Sequence, residues 1–321
     1  MSSTLAAPDS LLCGLAVGLC TYKRRSSLER TLEHVAIAAK ALELAPCVIV
    51  VDNDGQDPEV RTSVERFSAQ SGLVVHYVVE PRPGISAARN AIFDQAEKVH
   101  VRFVAMIDDD EWPSPDWLAA LLAEQAATSA SVVGGPVRPV FPDNAARLRR
   151  YARFWSVDRQ YIGGKPFVFC TCNFLIDMQA IADVPRPLFD EKFGLSGGGD
   201  TVFFRGLFFA GHPMAWSEKA FVHEEVPPSR ASFAWMRQRR YRVGNHQARW
   251  EGLENRRRAV AKTFGLAARL LVYPLLRREP EMPFAAWLFE YDKLRGRVAS
   301  HLGDVFVEYG RSSAPGEKAC G

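Results

Sequence analysis

Four short apolar runs, residues 14–20, 48–51, 73–79 and 103–107, each break off in a polar turn and give way to helical spacing. After the first of them, Leu28, Leu32, Val35, Ala39 and Leu42 recur on one helical face. Strand followed by helix, four times over, requires a mostly parallel sheet covered on both faces, because parallel neighbours need a crossover and the crossover helices lie on the sheet. A sheet of this kind binds its ligands outside the carboxyl ends of its strands. The polar turns are therefore where chemistry is expected.

The fourth run ends in Asp108-Asp109-Asp110-Glu111, then Trp112 and Pro113. Acids this close repel one another and raise one another's pKa, so a cation, hydrogen-bond donors or open water must hold them. Mg²⁺ takes one or two protein carboxylates and completes its shell with phosphate oxygens and water, which suits such a cluster. The alternative is an acidic loop before a helix whose N-cap is Ser114 and whose first residue is Pro115. The first run ends in Thr21-Tyr22-Lys23-Arg24-Arg25, and Ser26 with Glu29 has the spacing of a capping box. Asp52-Asn53-Asp54-Gly55 closes the second run, at the ligand-bearing edge, though these residues also build a tight turn with no ligand at all. After the third run a helix opens near Ile85, where small residues would let a ligand approach and Arg89 and Asn90 could supply donors.

At 321 residues the chain is long for a single core and implies a large α/β domain with an appendage, or two domains. A net charge of +3 argues against nucleic acid as the main partner. The six cysteines lack metal or redox spacing; Cys13, Cys20, Cys47, Cys170 and Cys172 lie in or beside apolar runs, as buried free thiols in a reducing cytoplasm would. Residues 11–20 are apolar but followed by basic residues, the reverse of a secretory signal, and no apolar run reaches the roughly 18 residues of a membrane span. A soluble or peripheral protein is expected.

The alternation breaks near residues 132–136. Residues 147–153 are basic and read as helix, and 167–176 as a strand holding Asn173. The glycines of 194–199 leave Asp200 at the start of a helix, where the dipole favours its charged, proton-accepting form; a plain N-cap is the alternative. Residues 216–226 read as one strand carrying His223, either a structural histidine or a ligand. The remainder is helical. Arg237, Arg239, Arg240 and Arg242 cluster where a phosphate or only solvent could meet them. Phe264, Leu266, Leu270, Leu271, Val272, Leu275 and Leu276, among Lys262, Arg269, Arg277 and Arg278, suit a helix in a membrane interface or one packed on the rest of the protein. Trp155 and Trp216 could stack on sugars or fill core.

Thr21-Tyr22-Lys23-Arg24, Val51-Asp52-Asn53, Gly84-Ile85-Ser86-Ala87-Ala88-Arg89-Asn90, Ile107-Asp108-Asp109-Asp110-Glu111 and Gly198-Gly199-Asp200 occur in an order that resembles the family 2 glycosyltransferases, enzymes of the GT-A fold that use nucleotide-sugar donors. The resemblance spans residues 14–245. Through residues 107–113, 134–142 and 193–205 it is most similar to the ExoM-type β-glucosyltransferases of succinoglycan (exopolysaccharide) assembly. It implies a Rossmann-like, mostly parallel sheet flanked by helices with a helical C-terminal extension: a nucleotide-sugar half at 14–137, an acceptor and catalytic-base half at 138–225, and helices at 226–321. It implies a UDP-sugar donor, with glucose the sugar, and a lipid-linked saccharide acceptor at the cytoplasmic face of a bacterial membrane. Asp52 would bind uracil, Thr21, Tyr22 and Arg89 the nucleotide, and Asp108 the ribose. Asp110, or Asp109 beside it, would hold Mg²⁺ or Mn²⁺, with His223 as a further metal ligand. Asp200 would be the base of an inverting displacement, with Arg240 or Arg242 assisting the leaving diphosphate.

Relatives commonly carry Glu before the catalytic Asp, but Gly199 stands there, and Val202 occupies a place where an acid is frequent. This puts the acceptor contact in question and keeps a second reading open, a sugar-nucleotide-binding protein without catalysis. A third, a nucleotidyltransferase, would carry a glycine in its first phosphate loop, and residues 21–25 contain none.

Overall fold

The most apolar runs form the middle of a sheet, as β-branched sequences buried on both faces do. In this computed structural model, residues 3–5, 14–43, 45–193, 198–276, 283–304 and 306 are described. In chain order β1 (Ser3–Leu5), β2 (Leu15–Thr21), α1 (Arg25–Ala39), β3 (Cys47–Asp52), α2 (Pro58–Ser71), β4 (Val75–Val79), α3 (Ile85–Lys98) and β5 (Phe103–Ile107) come first. They are followed by β6 (Glu111–Pro113), α4 (Trp117–Thr128), β7 (Val132–Gly134) and β8 (Val137–Val140), then a 3-10 segment, Asp143–Phe154. A hairpin of β9 (Gln160–Ile162) and β10 (Lys165–Phe167) leads to β11 (Asn173–Asp177), α5 (Gly199–Ala210), β12 (Met214–Trp216) and β13 (Val222–Glu225). Two long helices, α6 (Phe233–Leu276) and α7 (Pro283–His301), come last.

The chain divides into two compact units, Met1–Val140 with Tyr151–Gly194 and Gly199–Glu225 in one, and Phe141–Arg150 with Leu195–Gly198 and Val226–Gly321 in the other. The first unit holds an eight-stranded sheet ordered β1-β4-β3-β2-β5-β11-β7-β12. β4, β3, β2 and β5 are mutually parallel, and β11 enters antiparallel between β5 and β7. Alternation along β3 shows how its faces are covered. Val48 and Val50 pack with α1, α2 and α4, whereas Ile49 and Val51 pack with α3 and α5. Each large aliphatic side chain fully buried this way contributes about 1.5–3 kcal/mol. Gly18 lets α3 approach β2, since a Cβ there would meet Ile92 Cγ2 at 2.6 Å.

A second sheet, β6-β13-β8, stands beyond the acidic turn. Asn173 ties the two sheets together: its Nδ2 donates to the carbonyls of Ala220 at 2.7 Å and Pro136 at 3.1 Å, and its Oδ1 accepts from Trp117 Nε1 at 2.8 Å. Gly135 is needed at this junction, because a Cβ would lie 2.1 Å from the Ala220 carbonyl oxygen.

Several local expectations are corrected. Residues 216–226 are not one strand: β12 belongs to the large sheet and β13 to the small one, so the chain changes sheets between them. The strand expected over 167–176 is two, β10 ending at Phe167 and β11 starting at Asn173. No capping box forms at α1; Glu29 reaches across to Ser63 and Arg66 on α2 instead. α4 starts at Trp117, whose N–H donates to the Ser114 carbonyl, because residues 111–113 are held in β6.

In the second unit, α6 is two helices joined at Asn255, which is extended at φ −158°, ψ 100° and caps the second through a 3.0 Å bond from the Arg258 N–H to its Oδ1. α6 and α7 cross with their backbones in contact. A Cβ on Gly244 would meet the Lys293 carbonyl oxygen at 2.0 Å, and one on Gly296 that of Tyr241 at 1.9 Å. A buried ion pair, Arg297 with Glu251 at 2.6 Å, lies between them, and Lys262 joins Glu251 at 2.7 Å.

Candidate active site

The parallel register brings the carboxyl ends of β2, β3 and β5 to one edge, with Thr21 directly paired to Asp52. Asp52 is 1% exposed and its carboxylate is engaged within the protein. Oδ1 accepts the amides of Asp54 and Gly55 at 2.9 and 3.0 Å, and Oδ2 accepts the Tyr77 hydroxyl at 2.6 Å. The turn role weighed for it is thus present. Asn53, also buried, donates to the carbonyls of Glu80 and Arg82 and accepts from the Gly84 amide, so it moors the turn before α3. Beside these turns is an open cleft of about 510 Å³ lined by Lys23, Arg25, Ser26, Asp54, Gln56 and Asp57. Tyr22 is exposed at this edge, with the Lys23 ammonium 5.1 Å from its ring centroid.

The three aspartates after β5 differ in setting. Asp109 is 5% exposed; its Oδ2 accepts from Thr21 Oγ1 at 2.8 Å and its Oδ1 from Arg24 Nη1 at 3.3 Å. Asp110 accepts from the same Arg24 nitrogen at 2.6 Å. Thr31 of α1 fixes the backbone beneath them, donating toward the carbonyls of Asp109 and Glu111. Burial pushes the Asp109 carboxyl up to about 7, against the opposing pull of Arg24, and Asp110 and Asp108 add to the rise. Asp108 is pushed up to about 6, again mainly by burial, with Arg89 as its chief opposing charge and Asp110 and Asp200 adding to the rise. Glu111 is buried, accepts the Asp108 amide at 3.1 Å and is held well above the usual range by burial, Asp108 and Glu224. This end of the strand carries more negative charge than its protein cations balance.

Asp200 lies in the first turn of α5, its Oδ1 accepting the Thr201 amide at 2.8 Å, and its charge is felt at Asp108. Thr201 in turn donates to the Phe169 carbonyl at 3.1 Å, which anchors that helix end. The structure therefore brings Thr21, Asp108, Asp109, Asp110, Arg89 and Asp200 together. Asn90 is buried and directs its amide at the Phe189 backbone, donating through Nδ2 and accepting through Oδ1 in a pair of 2.9 Å bonds. Cys20 lies under Arg89 and Asp108, and burial pushes its thiol far up, away from nucleophilic chemistry.

His223 lies on β13, among aromatic rings. In the β6–β13 register it pairs with Trp112, and its ring lies 5.6 Å from that indole and 5.4 Å from Phe221. The charges acting on it are Arg138 and His34, which with burial lower its pKa. Side chains alternate along a strand, so Glu224, the next residue, is the one whose charge reaches Glu111. Trp155 and Trp216 are 2% and 5% exposed, part of the core. Arg240 and Arg242 belong to the helical unit, where Arg240 pairs with Glu290 and Arg237 with Asp292. Among the described residues no group of three His, Cys, Asp or Glu side chains is arranged as a metal site. Arg24, Thr31, Glu111 and Glu224 were not singled out as site residues from sequence; only the density of acids and of basic residues in 23–25 pointed toward them.

The glycosyl transferase family 2 model matches residues 16–184, which contain all of these strand ends. The chain is a family 2 glycosyltransferase. This glycosyltransferase is 39% identical over 233 residues to the succinoglycan biosynthesis protein ExoM of Rhizobium meliloti (strain 1021), covering 73% of this chain and 74% of that one. It is 36% identical over 128 residues to a glucosyl-dolichyl phosphate glucuronosyltransferase of Haloferax volcanii, covering 39% of this chain and 38% of that one. The mannosyltransferase PcManGT from Pyrobaculum calidifontis, solved with GDP-Man and Mn²⁺, superposes with a TM-score of 0.56 at 17% identity, covering 94% of this chain and 91% of that one. That superposition confirms the GT-A architecture of the glycosyltransferase: a mostly parallel sheet between helices, followed by C-terminal helices.

Proposed function

We propose that this glycosyltransferase moves glucose from UDP-glucose to a hydroxyl of a lipid-linked saccharide, with inversion, in the assembly of a succinoglycan-like exopolysaccharide. The observation that carries the reading is that the aspartates following β5, Arg89 of α3 and Asp200 of α5 act on one another at the carboxyl end of the sheet. The succinoglycan assignment is supported by identity to a protein of that pathway.

The donor set is all oxygen, and its protein cations leave negative charge uncompensated, which fits Mg²⁺ or Mn²⁺. Asp110, the more open of the pair at 25% side-chain exposure, and Asp109 would hold the ion. Bound there, it would supply positive charge against the diphosphate as that group departs. Thr21, Tyr22 and Arg89 border the nucleotide, and Asp108 the ribose. Asp52 serves the uracil by holding the 52–55 turn that frames the cleft. Asp200 accepts the proton of the acceptor hydroxyl while the oxygen attacks the anomeric carbon opposite the diphosphate. One displacement makes an α-linked donor into a β-glycoside. On this reading residues 14–137 serve the donor, residues 138–225 the acceptor, and residues 226–321 the membrane. An assisting role for Arg240 or Arg242 at the leaving diphosphate belongs to the same reading.

No helix among the described residues is long and apolar enough to cross a membrane. Phe264, Leu271 and Phe284 are nonetheless 71%, 82% and 71% exposed, and Arg256, Arg257 and Arg258 of the same helical unit are exposed too, which suits seating on an anionic cytoplasmic leaflet.

The deciding experiment is calorimetric titration of UDP with and without Mn²⁺, followed by release of UDP from a panel of UDP-sugars. Metal-dependent UDP binding and release from UDP-glucose are expected. Binding without turnover on any sugar would favour the non-catalytic reading left open by Gly199.

A further inference from the structure

Arg24 makes the shortest contact to the aspartates, and the reaction as proposed above does not use it. Its Nη1 donates to Asp110 Oδ2 at 2.6 Å and to Asp109 Oδ1 at 3.3 Å. The loop conformation delivers it: Lys23 has φ 57°, a left-handed geometry uncommon for lysine, and Arg24 at φ −130°, ψ 46° belongs to neither strand nor helix. The neighbouring cations are engaged elsewhere, Lys23 with Asp54 at 3.7 Å and Arg25 with Glu59 at 3.3 Å, while Arg89 acts on Asp108. Arg24 is the cation acting on Asp109. Among the described residues its Nε and Nη2 make no hydrogen bond, and the side chain is 43% exposed, so a single nitrogen ties it to both carboxylates.

Two cations cannot hold the same carboxylate oxygens at contact distance without strong repulsion. We infer that Arg24 is the resident counter-cation of this site, standing on Asp109 and Asp110 until a divalent ion takes those oxygens. This rests on the proposed metal role of these two carboxylates. Once displaced, the guanidinium keeps a planar fork of donors matched to phosphate oxygens, so the exchange trades one carboxylate–guanidinium contact for carboxylate–metal and guanidinium–diphosphate contacts. Arg24 is then a positioning residue that regulates metal entry, and the metal-free protein is held in order by its own side chain.

The test is calorimetric titration of Mn²⁺ alone, without nucleotide, into the full-length wild-type protein and Arg24→Gln. The variant should bind Mn²⁺ about tenfold more tightly, the equivalent of one charge-assisted contact no longer broken. Wild-type binding with an equal or weaker constant in the variant would overturn the inference while leaving the metal reading in place. Absence of Mn²⁺ binding in both proteins would remove the metal reading and this inference with it. A second measurement needs no variant: labelling of wild-type Arg24 by phenylglyoxal, followed by mass spectrometry, should increase with Mn²⁺ and fall when UDP is added. Labelling indifferent to Mn²⁺ at a concentration that saturates binding would refute the displacement.

Discussion

Asp109 links folding to pH because it is ionisable, buried and short of positive charge. Its carboxyl rises from 3.8 to about 7, so the folded chain holds the proton more tightly than the unfolded one. The stabilisation this brings is complete below about pH 4 and is lost as pH rises through about 7. Asp108 and Glu111, both raised, act in the same direction. The melting temperature of metal-free protein should therefore fall over that range, and Mn²⁺ should flatten the fall; scanning calorimetry with and without Mn²⁺ checks both. For Asp200, Asp200→Asn should lower transfer by about 10³-fold, the weight of one positioned general base, with UDP affinity unchanged. Transfer at wild-type rate would remove Asp200 from that role. Among the site residues, the acids were legible because four of them follow an apolar run. Arg24 was not, since its place depends on the left-handed Lys23, a conformation that no residue pattern advertises. The neighbours of His223 were not legible either, because they depend on a strand register that the sequence does not contain.

At the scale of elements, the small sheet matters more to the site than its size implies, since β6 follows the aspartates directly and β13 brings Glu224 toward Glu111. Asn173 couples this sheet to the large one through three buried bonds. Asn173→Ala would leave the Ala220 and Pro136 carbonyls and the Trp117 indole without that partner and should cost about 2–4 kcal/mol. Chemical denaturation gives the loss directly, and a change under about 0.5 kcal/mol would contradict the coupling. The four parallel strands could be read from sequence because runs such as residues 48–51 are apolar throughout. β6 and β8 could not, and β13 could be read only as part of one longer strand over 216–226. They are three or four residues long, carry Glu, Arg, His and Pro, and owe their conformation to partners distant in the chain.

For the molecule as a whole, the proposed membrane role rests on the helical unit. Phe284, Trp287 and Tyr291 stack in series along α7, with ring centroids 6.5 and 5.3 Å apart, an aromatic ridge of the kind enriched at membrane interfaces. Phe264→Asp combined with Leu271→Asp should reduce co-sedimentation with vesicles containing anionic lipid, while UDP release from donor in solution stays the same. Undiminished sedimentation would count against the membrane role. The helices themselves are legible from their length and composition, but the break at Asn255 and the crossing of α6 with α7 are not, because each is settled by what the backbone meets in space. That crossing has a consequence for descent as well as for folding. Where peptide groups touch, no side-chain volume exists to trade, so a larger residue at Gly244 cannot be offset by a smaller one at Gly296. Through a lineage that keeps this helical pair, both positions should stay glycine while the exposed faces around them drift.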